Sequence, residues 1–178
     1  SMESAIALLA ALGGCTVTGR VVLIGTVDVY SREQLAQTEP PATERDTPMP
    51  DCAYGEQHYL LELACKSLFG DKLTIFRLPA LFGLGLKKNA LYDMWVGNRV
   101  EHINPASAFK LVEISDVVAA VKDILQNVVN DPLVNFFPKA LTTIADIQHL
   151  FPHKPTGTEN KAIYCAESAK SDGPAYAD

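Results

Sequence analysis

Val21-Val22-Leu23-Ile24-Gly25-Thr26-Val27 is an unbroken apolar run rich in β-branched residues. Burial on both faces, as in a parallel sheet, explains such a run best. Leu73 to Leu78 (LTIFRL) reads as a second buried strand, ended by Pro79, and Val134 to Phe137 as another. Helical patterns stand between them. Glu3 to Leu12 is closed by Gly13-Gly14, a common helix stop. From Tyr54 to Phe69, Leu60, Leu61, Ala64, Cys65 and Leu68 recur at helical spacing. Strands alternating with helices predict an α/β domain with a mainly parallel sheet.

The other segments are shorter. Asn89 to Val96 is expected as a short helix and Phe109 to Glu113 as a short strand. Ser115-Asp116 offers an N-cap for a helix to about Gln126, with Val117, Val118, Val121, Ile124 and Leu125 as its stripe. Thr142 or Thr143 caps a last helix with Ile144, Ile147 and Leu150 on one face. Ser31 to Pro50 carries Pro40, Pro41, Pro48 and Pro50, and no regular structure is expected there; so long a connection suggests a functional loop. Residues 152–178 are polar and expected to be loosely held, apart from a short strand at Ala162 to Cys165.

Composition narrows the function. The 178 residues are 48% hydrophobic and 20% charged, enough apolar mass for a sizeable core. A net charge of -6 without a basic run disfavours nucleic acid or an anionic membrane as partner. No stretch reaches the roughly 18 apolar residues of a membrane span. The four cysteines (Cys15, Cys52, Cys65, Cys165) form no C-x-x-C pair, so they read as reduced thiols of a cytoplasmic protein. His149 and His153 are separated by Pro152 without an accompanying carboxylate, so no metal site is expected.

Three segments carry chemistry. Gly25-Thr26-Val27-Asp28-Val29-Tyr30 ends the first strand, Tyr54-Gly55-Glu56-Gln57-His58 opens a helix, and Arg77-Leu78-Pro79-Ala80-Leu81-Phe82-Gly83 ends the next strand. Carboxyl ends of parallel strands are where open α/β sheets bind ligands. With Ile114-Ser115-Asp116-Val117-Val118 following, this order resembles the extended short-chain dehydrogenase/reductase superfamily, the NAD-dependent sugar-nucleotide epimerases and dehydratases. There a strand ends in Ser/Thr-x-x-x-Tyr, Y-G-x-x-K opens a helix, and a strand reads R-x-x-N-x-x-G. The likeness runs from about residue 4 to residue 151. It implies a partial Rossmann-like domain over residues 3–151, with substrate-side elements from about residue 84.

The resemblance implies roles residue by residue. Thr26 matches the catalytic Ser/Thr that hydrogen-bonds substrate. Tyr54 matches the tyrosine that exchanges a proton while hydride moves to or from nicotinamide. A phenol is a poor base at neutral pH unless a cation supports its phenolate. The family places a lysine one helical turn later, where this chain has His58; the imidazole is expected to assist or relay instead. Arg77 lies near substrate in the resemblance, or else pairs with a carboxylate. By their charge alone, not by the resemblance, Lys87 and Lys88 are read either as meeting a diphosphate at the pocket mouth or as a solvated turn. The family's asparagine is Ala80. The strand-borne G-x-x-G-x-x-G that grips a dinucleotide is not in the sequence.

About half of the nucleotide-binding fold is therefore expected to lie outside this chain, leaving a sheet edge for a second copy or a partner chain to cover. The first helix and the Tyr54–Phe69 helix match the pair that forms the family's dimer, so a homo-oligomer is expected. Two functions remain open. One is a degenerate relative without its own NAD or NADP site, serving as a binding or interaction scaffold with a nucleotide-sugar ligand. The other is an NAD(P)-dependent epimerase, dehydratase or reductase whose cofactor is gripped by residues outside this chain. The three losses, of glycine motif, lysine and asparagine, favour the first.

Overall fold

The run from Val21 forms a strand, and its carbonyl end turns at Thr26. The structure, a computed structural model, describes residues 2–128, 130–159 and 161–167. In chain order it comprises α1 (Met2–Gly13), β1 (Val21–Thr26), α2 (Arg32–Ala36), α3 (Ala53–Phe69), β2 (Leu73–Leu78) and β3 (Ala80–Phe82). Then follow α4 (Ala90–Val96), β4 (Ala108–Phe109), β5 (Leu111–Glu113), α5 (Ile114–Leu125), β6 (Leu133–Asn135), β7 (Thr142–Thr143), α6 (Ile144–Ile147) and β8 (Ile163–Tyr164).

The main sheet is parallel, in the order β1-β2-β6. β1 pairs with β2 residue for residue, from Val21 opposite Leu73 to Thr26 opposite Leu78. All six residues of β2 are buried. Its alternation sorts them between two helical layers. Leu73 and Ile75 meet Cys65 and Phe69 of α3, with Leu9 and Leu12 of α1 behind. Phe76 and Leu78 meet Val117, Ala120 and Ile124 of α5. β1 departs from the two-faced burial its composition suggests: Val21, Val22 and Leu23 are half-buried and Ile24 is 47% exposed. No strand pairs with its outer edge among the described residues.

Several local expectations need correction. The Ser31–Pro50 stretch is not wholly irregular, because α2 forms within it. Ser31 accepts from the Gln34 amide while the Gln34 side chain accepts from the Ser31 amide, a capping box that starts a helix anchored by buried Leu35. α5 begins at Ile114 rather than after Ser115-Asp116, since β5 runs straight into it and Glu113 stands at its N-cap position without a side-chain cap. The expected strand at Phe109 to Glu113 is two strands that part at Lys110. β5 pairs with β3, whereas β4 pairs antiparallel with β7 and parallel with β8.

That second small sheet, with α4 and α6, makes the irregular C-terminal portion around Leu91, Met94 and Ile144. The segment beyond Pro152 is held rather than loose as far as Glu167. Gly157 donates to the Ile103 carbonyl, Cys165 to that of Leu35, and Glu167 to that of Ala42. Short polar residues gave no periodic signal of this, because its contacts are backbone bonds to distant strands and loops. The remainder of that expectation, residues 168–178, lies outside the described residues.

Candidate functional site

At the carboxyl end of β1 lies a cavity of about 440 Å³, walled by β1, the head of α3, the β2–β3 junction, Lys88, Asn89, Phe109 and Tyr164. Thr26, the last residue of β1, is buried and caps the single 3-10 turn that follows. Its Oγ1 donates to Asp28 Oδ2 at 2.7 Å and accepts from the Asp28 amide at 3.2 Å. The turn therefore locks Thr26 and Asp28 together on the cavity wall.

Tyr54 sits in the first turn of α3 and is 48% exposed. Cys52 caps this helix, its Sγ accepting from the Gly55 amide at 3.4 Å. Gly55 lets the helix approach the turn: a Cβ there would stand 1.9 Å from the Asp28 carbonyl oxygen. That approach brings Tyr54 over Asp28. One turn further along α3, His58 packs on Tyr54 with ring centroids 4.5 Å apart at 56°.

The electrostatics oppose a phenolate. Burial, and then the Asp28 carboxylate, push the Tyr54 phenol above its ordinary value, while its hydrogen-bond interaction with the Thr26 hydroxyl works the other way. Burial pushes the His58 imidazole below its ordinary value, Asp28 and Glu62 offset part of this, and Lys88 adds to it. Tyr164 is pushed up to about 12, by burial and then by its charge and hydrogen-bond interactions with Asp28. One carboxylate thus faces two phenols that hold their protons, beside an imidazole that favours its neutral form. The group can donate hydrogen bonds through the phenols and accept through Asp28; no cation supports Tyr54 as a base from the position one turn along α3.

The sequence-derived candidates divide accordingly. Thr26, Tyr54, His58 and Lys88 line the cavity, and so does Ala80, with a methyl group where the family has an amide. Lys87 is exposed and is not part of the wall. Arg77 is not part of it either; its carboxylate-pairing alternative is the one found. The side chain is 1% exposed, with Nε 2.9 Å from Glu62 Oε1, Nη2 2.7 Å from Glu62 Oε2 and Nη1 2.7 Å from the Tyr30 hydroxyl. Glu62 is itself fully buried, so the pair is a strut between α3 and β2. Its sequence signal was a glutamate on the apolar face of a helix, four residues after His58.

Sequence reading assigned no role to Asp28, Asn89, Phe109 or Tyr164. Asp28 stands inside the Gly25–Tyr30 segment, so its proximity to Thr26 was legible. Tyr164 arrives from the far end of the chain, where β8 pairs with β4 and stacks its ring on Phe109 at 5.4 Å and 22°. Asn89 caps α4 by accepting from the Leu91 and Tyr92 amides, with Nδ2 donating to the Leu81 carbonyl.

In the resembled family a helix N-terminus on a glycine turn grips the dinucleotide pyrophosphate, and the lysine one turn after the tyrosine holds the nicotinamide ribose. Here β1 runs into a 3-10 turn, and the residue one turn beyond Tyr54 is a half-buried imidazole packed on that phenol. The described residues do not fit such a cofactor by themselves. Nor is any group of three or more His, Cys, Asp or Glu among them placed to hold a metal ion.

No family model and no curated protein matches the chain. Solved structures do. The UDP-N-acetylglucosamine 4-epimerase from Methanobrevibacter ruminantium M1, in complex with UDP-N-acetylmuramic acid, superposes with a TM-score of 0.73 at 14% identity, over 96% of this chain and 60% of that one. TunA, an NAD-dependent NDP-hexosamine 5,6-dehydratase involved in tunicamycin biosynthesis, gives 0.70 at 20% identity, over 98% and 65%. The UDP-glucuronic acid 4-epimerase from Bacillus cereus, in complex with UDP-glucuronic acid and NAD, gives 0.68 at 16%, over 93% and 56%. The chain thus spans 56 to 65% of the length of these structures. From Met2 to Glu167 the described polypeptide has the Rossmann-like α/β fold of NAD-dependent sugar-nucleotide epimerases and dehydratases.

Proposed function

We propose that the chain is a nucleotide-sugar-binding scaffold of the epimerase/dehydratase type, which does not hold a dinucleotide by itself. The observation that carries this is the setting of Tyr54: its phenol faces Asp28, and His58 stands where a cation would be needed. A phenol so placed serves as a hydrogen-bond donor to a sugar hydroxyl. Thr26, whose own proton goes to Asp28, accepts from a sugar hydroxyl, Asp28 accepts from a second one, and the Lys88 ammonium at the rim meets a diphosphate. Nucleotide-sugar ligands in the structures of like fold support the choice of ligand class.

The test is calorimetric titration of the chain with UDP-glucose, UDP-N-acetylglucosamine, NAD and NADP in their oxidised and reduced forms. Binding of a nucleotide sugar without a dinucleotide supports the scaffold, and Tyr54→Phe should then weaken that binding. Binding of NAD or NADP with turnover of a nucleotide sugar overturns it.

A second reading has its own observation. Ile24 and Gly25 line the cavity on the unpaired edge of β1, so further polypeptide beside that edge would border the cavity. If that polypeptide grips NAD(P), the assembly is an epimerase or dehydratase and Tyr54 its proton-exchanging group. Self-association is also part of the proposal: Ile6 on α1 and Leu60, Leu63 and Leu68 on α3 are exposed apolar residues on the two helices expected to form a dimer. Light scattering tests this, and a monomer refutes it. No helix among the described residues is long and apolar enough to cross a membrane. Four free thiols suit a cytoplasmic setting.

A further inference from the structure

Lys110, at the break between β4 and β5, has a side chain only 1% exposed. Its Nζ donates to Glu167 Oε1 at 2.8 Å and to the Lys139 carbonyl at 3.3 Å. A buried ammonium is costly unless a carboxylate and hydrogen bonds compensate it. The carboxylate comes from the segment that carries Tyr164, three residues before Glu167. β8 itself is two residues long, too short to hold a segment in place by its ladder alone.

The remaining ties run the same way. Cys165 donates to the Leu35 carbonyl at 2.9 Å and Glu167 to that of Ala42 at 2.8 Å, while Asn135 Nδ2 donates to the Glu167 carbonyl at 3.0 Å. Register places Phe109 opposite Tyr164, so the residue adjoining Lys110 is the one whose ring stacks on the Tyr164 phenol. If residues 162–167 left the sheet, Lys110 would lose its carboxylate and the cavity would lose one wall together.

We infer that Lys110 is a positioning residue: through its ion pair with Glu167 it latches residues 162–167 and so seats the Tyr164 phenol in the cavity beside Asp28. The consequence for binding rests on the reading of that cavity as the ligand site. The latch itself does not need a ligand to be seen.

The test uses the full chain labelled with meta-fluorotyrosine, the Tyr164 fluorine resonance being assigned by its loss in Tyr164→Phe. Lys110→Met and Glu167→Gln should each move that resonance toward its unfolded-chain position. They should also speed exchange of the Cys165 amide on the order of tenfold or more, leaving the Ile75 amide of β2 unchanged. The double variant should be no looser than Lys110→Met alone, because the two act on one contact. An unmoved Tyr164 resonance with unchanged Cys165 exchange in Glu167→Gln overturns the latch, as do single effects that simply add. If Lys110→Met fails to fold, Glu167→Gln, at a half-exposed side chain, decides the matter through resonance and exchange. UDP-glucose affinity, read by calorimetry, should fall in Glu167→Gln. If UDP-glucose does not bind the unaltered chain, the site reading fails while the latch still stands or falls on the fluorine and exchange results.

Discussion

Replacing Glu62 by alanine should be among the most damaging single changes in this domain. The Arg77 guanidinium would keep one side-chain partner, the Tyr30 hydroxyl, and lose two charge-assisted bonds of 2.9 and 2.7 Å. Both partners are essentially without solvent, at 1% and 0% exposure, so water cannot take the carboxylate's place without rearrangement. Removing one member of such a buried pair costs about 3–5 kcal/mol, out of a total domain stability of about 5–15 kcal/mol. With a urea dependence of about 2 kcal/mol per molar, the midpoint should fall by about 2 M. Urea unfolding followed by far-ultraviolet circular dichroism reads this directly. Glu62→Leu combined with Arg77→Met should recover most of the loss, since an apolar pair of similar volume replaces both charges. Tyr30 tolerates this, because its hydroxyl also donates to the Thr43 carbonyl at 2.8 Å. A cost below about 1 kcal/mol for Glu62→Ala would mean that water reaches Arg77. The strut assignment would then be wrong, and Arg77 would return as a candidate for the ligand site.

Other perturbations address the cavity. Asp28→Asn should lower the phenol pKa of Tyr54, and that of Tyr164 from about 12, because it removes a negative charge from both; an ultraviolet phenolate titration that does not move would remove Asp28 as a cause. His58→Lys should also lower the Tyr54 pKa by supplying a cation one turn away, and no shift there would mean that the ammonium points elsewhere. Gly55→Ala should cost about 1–3 kcal/mol or more, since its Cβ would sit 1.9 Å from backbone oxygen and α3 must retreat; an unchanged melting temperature would contradict that packing. His58 has a folded pKa below its unfolded value, so the unfolded chain takes up the proton first as pH falls. Stability should therefore drop as pH falls through about 6.5 toward the folded value, and His58→Gln should flatten that part of the curve.

Much of this architecture was already written in the order of residues. LTIFRL from Leu73 to Leu78 is the central strand with the boundaries its composition suggests, because an apolar run flanked by a glycine stop and a proline has one stable place in an α/β layer. The spacing of Thr26, Tyr54 and His58 placed them on a strand end and on one helix face, and both are local properties of strands and helices. Distance along the chain hid the rest. Arg77 carries the same charge at the end of a strand whether it meets a ligand or Glu62, and only the packing of α3 on β2 chose Glu62. Lys110 stood inside an expected strand with nothing to mark it, and only Glu167, 57 residues later, shares its burial. Tyr164 reached the cavity through a two-residue ladder and backbone bonds to loops, contacts that leave no periodic trace. Local periodicity thus marked the longer elements β1, β2, α1, α3 and α5, since these follow from short-range backbone geometry, whereas α2, β3 and β7 left no such signal. Which charges are struts and which face the cavity was decided by tertiary structure, because desolvation depends on what surrounds a side chain rather than on what adjoins it in sequence.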